Sequence, residues 1–253
     1  RYDLSGDVQY LATKEGLLFE SKNNESRLVL NLRNDSLFPF IDQTPGMIDL
    51  GLLGVASQNK LVYVAYTSPE SEGVYSLVVD EYSMNFTKVR NIIKIGGFTM
   101  LFGGNLSFDS HGKLYLSVGD GNREPAEDKA QNLNSLRGKI LRLDVSKSKL
   151  EPEIIAYGIR NPWGVTIDSK DRMFIMQCGR GTVEAVYLLN DLYSGIPANF
   201  GWPVFEGQHK RMKKDPLMIN DILDPIFEYH TKPICATAGV YLDDIELFLL
   251  GDF

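Results

Sequence analysis

Residues 103–121 read GGNLSFDSHGKLYLSVGDG, which is an apolar strand, a polar turn and a second apolar strand ending on an acidic loop. A turn of Asp, Ser and Gly between two such runs predicts a β-hairpin. Similar hairpins, each opened by a glycine, recur at 54–66, 164–176 and 239–250, with a weaker copy at 4–13. Hairpins repeated at intervals longer than about 40 residues are typical of propeller blades with loop insertions.

Outer strands are expected to complete each hairpin, for example at residues 73–79 and 139–145. The continuous apolar runs indicate strands that are buried on both faces. The sequence therefore predicts an all-β fold, a β-propeller of four-stranded blades, with about five blades in one domain over residues 1–253. The first blade starts inside a strand at 2–3 and the last repeat stops at 251–253, so we expect a domain that is truncated or incomplete at both ends.

Composition narrows the classes of function. The chain has 253 residues, of which 43% are hydrophobic, enough for a large core in one all-β domain. A net charge of −7 argues against a nucleic-acid partner, which needs a basic face. No apolar run approaches the ~20 residues of a membrane span. Cys178 and Cys235 could pair, but we favour two small, buried apolar side chains.

Four segments carry a resemblance to a known family: 103–121, AQNL at 130–133, RGKILRLD at 137–144 and YGIRNPWG at 157–164. In this order they resemble the soluble quinoprotein glucose/sorbosone dehydrogenase-like family. The resemblance implies a six-bladed propeller with pyrroloquinoline quinone (PQQ) and calcium as cofactors. It also implies that a hydride passes from an aldose sugar to the quinone, and that the protein is secreted, periplasmic or in an organelle lumen.

The resemblance places the catalytic base of the family at Leu101, because this chain has Leu-Phe-Gly-Gly where the family has His-x-Gly-Gly. Leucine cannot accept a proton, so the base is expected to be lost and activity is doubtful. Asp120 matches the aspartate that orients the histidine. None of the three histidines occupies the motif: His111 and His209 are expected on the solvated surface, whereas His230 could face the central axis and substitute for the base.

The cofactor positions are also assigned by resemblance. Arg160 and Asn161 match the pair that contacts the quinone, and the planar fork of arginine suits carboxylate and quinone oxygens. Gly179 and Arg180 match a loop whose backbone carbonyls hold calcium, and carbonyl ligation depends little on the side chain. Gln177 stands where much of the family has an acidic residue, and the positive charge of Arg180 further weakens the metal assignment.

Asp49 and residues 199–203 also match segments of the family. Asp49 matches a position that hydrogen-bonds the sugar, although an exposed loop carboxylate is an equal alternative. Residues 199–203 match a structural loop in which Trp202 is expected to be buried. The first functional hypothesis is a PQQ-dependent aldose dehydrogenase. The alternative is a non-catalytic propeller, either a module that binds a sugar or protein partner on its loops or a structural subunit.

Overall fold

Antiparallel sheets make up most of the regular structure in this computed structural model, which covers residues 2–3, 8–23, 25–34, 49–121, 129–212, 221–230 and 235–252. Within these ranges the helical turns are two short 3-10 segments, Leu32–Asn34 and Asp243–Ile245. No helix in this part of the chain has the length and apolar character needed to cross a membrane.

Four of the sheets have at least four strands, and in each the first three strands follow one another along the chain. The first sheet contains β1 (Tyr2–Asp3), β2 (Gln9–Ala12), β3 (Leu17–Lys22) and β4 (Glu25–Asn31). The second contains β5 (Leu52–Gln58), β6 (Leu61–Ser71), β7 (Val74–Ser83) and β8 (Lys88–Phe98). The third contains β9 (Gly103–Phe108), β10 (Leu114–Val118), β11 (Lys139–Leu143) and β12 (Glu153–Tyr157), beside which β16 (Ala198–Asn199) lies parallel.

The fourth sheet contains β13 (Pro162–Ile167), β14 (Met173–Gln177), β15 (Glu184–Leu189) and β19 (Phe227–Tyr229). Two hairpins complete the described strands: β17 (Phe205–Glu206) with β18 (His209–Lys210), and β20 (Ala236–Leu242) with β21 (Leu247–Asp252). The predicted hairpins and outer strands are confirmed at 54–66, 73–79, 103–121, 139–145, 164–176 and 239–250. Residues 4–7 of the weaker copy lie outside the described residues.

The apolar core lies between the sheets rather than within one central layer. Alternate residues of β6 enter two clusters: Val64 packs toward the first sheet, and Ala65 packs toward the third. The same alternation divides β14, where Ile175 packs toward the third sheet and Phe174 toward the β20–β21 hairpin. Because successive side chains of a strand point to opposite faces, these sheets are buried on both sides. The predicted two-sided burial is confirmed.

The first strands of successive sheets contact one another, β5 with β9, β9 with β13, and β13 with β20. They surround a cavity of about 800 Å³ that is lined from all four of these strands. First strands gathered around one axis, with sheets stacked radially, define a β-propeller. The predicted all-β propeller of four-stranded blades is thus confirmed: the described residues form three four-stranded sheets, a fourth sheet in which β16 adds a fifth strand, and the β20–β21 hairpin.

Close packing at the axis depends on Gly54 in β5. A Cβ atom on this residue would overlap the backbone carbonyl oxygen of Gly104 in β9, which cannot move aside as a side chain could. We expect Gly54→Ala to lower the free energy of unfolding by about 1–3 kcal/mol, the usual cost of overpacking. Gly251→Ala is the matched control, since its Cβ would meet only ordinary contacts. Urea unfolding of both variants tests this, and equal stabilities would contradict it.

The prediction for the two cysteines is wrong, because Cys178 and Cys235 form a disulfide across 57 residues of sequence. Cys178 follows β14, and Cys235 directly precedes β20. The bond therefore joins the fourth sheet to the innermost strand of the next hairpin. The sequence could not reveal this, since two cysteines far apart in a chain carry no signal of their spatial separation.

Candidate active site

The loops that hold the predicted site residues meet at one end of the sheets. Gly103 pairs with Val118, and Pro162 pairs with Gln177, so each first strand begins where the second strand ends. Antiparallel strands require this arrangement. The end formed in this way is called the loop face, and it carries residues 49–51, 99–102, 119–121, 158–161 and 178–183.

Asp49 and Leu101 are in direct contact on the loop face. The backbone N–H of Leu101 donates to Asp49 Oδ2 at 2.9 Å. Asp49 is only 6% exposed, so the alternative of an exposed loop carboxylate is wrong. Burial raises the pKa of Asp49, against the opposing effects of the Leu101 hydrogen bond and the positive charges of Lys14 and Arg160. Leu101 itself is buried and has a positive φ of 55°.

A small cavity of about 120 Å³ opens beside Asp49. Its walls include Lys14 and Trp163, and the Lys14 ammonium lies 5.3 Å from the centre of the Trp163 ring. A carboxylate, an ammonium and an aromatic face together suit a hydroxylated group. The volume is well below the roughly 300 Å³ of pockets that enclose larger ligands.

Asn161 and Asp120 join neighbouring loops. Asn161 Oδ1 accepts from the N–H of Gly103 at 3.2 Å. The N–H of Asp120 donates to the carbonyl oxygen of Arg160 at 2.8 Å. Asp120 Oδ2 accepts from Trp202 Nε1 at 2.7 Å, and both side chains are buried. Trp202 is buried as predicted, but its bond to Asp120 was not anticipated.

The Arg160 guanidinium binds two backbone carbonyls on the loop face. Nη1 donates to the carbonyl oxygens of Cys178, at 3.1 Å, and Gly179, at 2.6 Å. Nε is buried and has no hydrogen-bond partner among the described residues. Burial lowers the pKa of Arg160, although the negative charges of Asp120 and Glu206 act in the opposite direction. Arg160 therefore offers one buried N–H that still needs an acceptor.

Glu206 supports the loop face in a way that its residue type did not predict. Its Oε1 accepts from four successive backbone N–H groups, those of residues 180–183, at 2.7–3.3 Å. Arg211 Nε lies 3.1 Å from Oε2. Burial acts to raise the pKa of Glu206, but these four hydrogen bonds bring it below its usual value. Glu206 thus holds the loop whose carbonyls contact Arg160.

The profile of the Glucose / Sorbosone dehydrogenase family matches residues 11–245 of the chain. The chain belongs to the glucose/sorbosone dehydrogenase family. The resemblance read from the sequence is therefore confirmed.

Two relatives with known names are similar to this chain in sequence. HIPL2 protein of Arabidopsis thaliana is 32% identical over 189 residues, which are 56% of this chain and 26% of that protein. Aldose sugar dehydrogenase YliI of Escherichia coli K12 is 29% identical over 226 residues, 79% of this chain and 58% of that protein. The chain thus spans about a quarter to somewhat over half of these relatives' lengths.

A solved structure shares the fold. The PQQ-bound aldose sugar dehydrogenase of Streptomyces coelicolor superposes with a TM-score of 0.67 at 21% identity, over 95% of this chain and 70% of that one. At this identity the likeness establishes the propeller fold.

Calcium does not fit the hydrogen bonding around Gly179. The carbonyl oxygen of Gly179 accepts a hydrogen bond from the permanently charged guanidinium of Arg160. A calcium ion bound to the same oxygen would lie close to this positive charge and would be repelled by it. Gln177 supplies an amide oxygen rather than a carboxylate, and that oxygen accepts the Arg160 N–H at 3.1 Å. Calcium requires six to eight oxygen ligands. The carbonyls of Gly179 and Arg180 remain a prediction from the resemblance alone.

Arg160 has the hydrogen-bonding chemistry that a quinone requires. The unpartnered Nε–H of Arg160 can donate to a carboxylate or quinone oxygen, both of which are strong acceptors. The 120 Å³ cavity beside Asp49 is too small for a tricyclic quinone. Arg160, rather than the cavity, is therefore the part of the site that suits the cofactor of this family.

The three histidines contact residues other than Leu101. His111 is exposed, and its ring nitrogen lies 3.3 Å from Asp171, as expected for a hairpin turn. His209 is half-buried beside Glu228 rather than fully solvated. His230 is exposed, and its Nδ1 lies 3.0 Å from the carbonyl oxygen of Thr182.

Proposed function

We propose that this chain is a quinone-binding propeller related to PQQ-dependent aldose dehydrogenases, in which the reaction base has been lost. The observation that supports quinone binding most strongly is the buried, unpartnered Nε–H of Arg160 on the loop face. Asn161 would help to define the same site through its hydrogen bond to Gly103. When bound, the quinone would supply the hydride acceptor.

Leu101 explains why turnover would be slow. It lies beside Asp49, where the resemblance places a proton acceptor, and its side chain has no basic atom. A missing general base typically costs about 10² to 10⁴ in rate. Asp120 Oδ2 accepts a hydrogen bond from Trp202 Nε1, which would hold its carboxylate in place at the site. Asp49 remains the candidate to hydrogen-bond a sugar hydroxyl.

A second candidate function is a non-catalytic module that binds a sugar or protein partner on the loop face. The observation that favours it is the Arg160 guanidinium bound to the Gly179 carbonyl, where calcium is predicted. No part of the proposed function depends on calcium. If the chain were instead a structural subunit, its loop face would contact another protein and would bind no small ligand.

We further propose an oxidising compartment: secreted, periplasmic or an organelle lumen. The Cys178–Cys235 bond supports this, because disulfides persist chiefly in such compartments. The acidic net charge supports a partner other than nucleic acid.

Calorimetric titration of the chain with PQQ, with and without calcium, tests the proposal. We expect the wild-type chain to bind PQQ and Arg160→Ala to bind at least tenfold more weakly, because a charge-assisted hydrogen bond contributes about 1.5–3 kcal/mol. Arg27→Ala is the matched control, since Arg27 is an exposed arginine of the first sheet. Failure of the wild-type chain to bind PQQ would exclude the quinone proposal and leave the non-catalytic module.

Restoring the base tests the role assigned to position 101. We expect Leu101→His to raise aldose-dependent reduction of a dye by roughly 10²-fold or more in PQQ-loaded protein, because a histidine there can take the hydroxyl proton. Leu133→His, at an exposed leucine, controls for an added histidine. A variant that binds PQQ and shows no gain would contradict the assignment of Leu101.

A further inference from the structure

Two histidines and a glutamate come together at the outer edge of the fourth sheet. His209 lies in β18, Glu228 lies in β19, and His230 follows directly after β19. One ligand atom from each of the three lies within 4.8 Å of the other two. We propose that His209, Glu228 and His230 bind a divalent transition-metal ion of the zinc class, at a site that includes none of Asp49, Leu101 and Arg160.

The three side chains have the chemistry of a zinc site. Imidazole nitrogen and carboxylate oxygen are the usual non-thiol ligands of zinc in proteins, and three such ligands with one open position are a common set. His209 Nε2 lies 2.9 Å from Glu228 Oε1. The rings of His209 and His230 meet edge to face, with their centres 5.1 Å apart.

Neighbouring groups orient two of the ligands. His230 Nδ1 lies 3.0 Å from the carbonyl oxygen of Thr182, which can only accept. Nδ1 therefore carries the proton, and Nε2 keeps its lone pair for a metal. Glu228 Oε2 accepts from the N–H of Gln208 at 3.1 Å, which directs Oε1 toward His209. Outer hydrogen bonds of this kind are typical of histidine and carboxylate ligands of metals.

Binding requires a modest closure of the cluster. Ligand atoms around tetrahedral zinc lie about 3.3–3.5 Å apart, given bonds of about 2.0–2.1 Å. The present spread of up to 4.8 Å must therefore shrink by somewhat over an ångström. Such movement is open to these side chains, because those of His209 and Glu228 are 41% and 20% exposed and His230 is at the surface.

A bound metal would connect three separate parts of the chain. The β17–β18 hairpin would be joined to strand β19, and the Thr182 carbonyl would hold the site through His230. Because the metal binds only the folded arrangement, it would stabilise that arrangement by mass action. This site uses neither Arg160 nor Leu101, so its test is independent of quinone binding.

Zinc titration of chelator-treated protein, followed by calorimetry and by thermal unfolding, tests the site. We expect one zinc ion per chain and a rise in Tm with zinc concentration for the wild-type chain. His209→Gln and His230→Gln should each bind at least about tenfold more weakly, since even the loss of an outer partner of a ligand costs that much. His111→Gln is the matched control, because this third histidine lies outside the cluster and should leave binding unchanged.

Two results would overturn the inference. One is the absence of zinc binding by the wild-type chain. The other is equal affinity in the wild-type, His209→Gln and His230→Gln proteins, which would place any bound zinc elsewhere. Circular dichroism of each variant without zinc establishes that a weakened affinity arises in a folded protein.

Discussion

Replacing Glu206 with alanine is expected to lower the free energy of unfolding by about 3–5 kcal/mol, the cost of removing one partner from a buried ionic network. Four backbone N–H groups, those of residues 180–183, would lose their acceptor, and Arg211 would lose its carboxylate. Urea unfolding measures this loss. Glu151→Ala is the control, because Glu151 is an exposed residue that forms a surface ion pair with Lys149, and its loss should change stability little.

The same carboxylate predicts how stability depends on pH. The folded-state pKa of Glu206 is lower than its ordinary value of 4.5. Its contribution is therefore complete above the unfolded-state pKa and is lost as pH falls through the folded-state pKa. We expect Glu206→Ala to flatten the fall in stability below about pH 4.5. If the free energy of unfolding fell equally steeply with decreasing pH in the wild-type chain and in Glu206→Ala, the role assigned to Glu206 would be contradicted.

Reducing the Cys178–Cys235 disulfide is expected to lower the free energy of unfolding by about 4 kcal/mol. The bond closes a loop of 57 residues, and cross-links of this span remove much of the entropy of the unfolded chain. Unfolding in urea with and without dithiothreitol measures the effect.

The double variant Cys178→Ser, Cys235→Ser provides the control for reduction. It should resemble the reduced wild-type chain and be insensitive to dithiothreitol. If the reduced and oxidised wild-type chains were equally stable, the bond would constrain neither the fourth sheet nor the β20–β21 hairpin.

Sequence reasoning predicted the hairpins well because each is a local pattern. The turn at Asp109–Gly112 closes β9 on β10, and the hydrogen bonds of Asp109 to the N–H groups of His111 and Lys113 make that turn self-contained. Two-sided burial could also be predicted, since it requires only uninterrupted apolar runs.

The interactions of the candidate site were harder to predict from the sequence. Contact between Asp49 and Leu101 joins residues 52 positions apart, and the position of Arg160 depends on how residues 178–183 fold around Glu206. Neither the direction of a long side chain nor the acceptor of a loop amide follows from residue type. The resemblance indicated which residues meet at the loop face, whereas only the structure showed that Arg160 binds the Gly179 carbonyl.

The placement of the apolar clusters between the sheets has a consequence for how such a protein can change over time. Leu101 belongs to none of the four clusters, which are built from residues of adjoining sheets. The side chain at position 101 therefore lies outside the apolar clusters that hold the sheets together. A substitution at position 101 can therefore alter the chemistry of the loop face without changing the packing between the sheets.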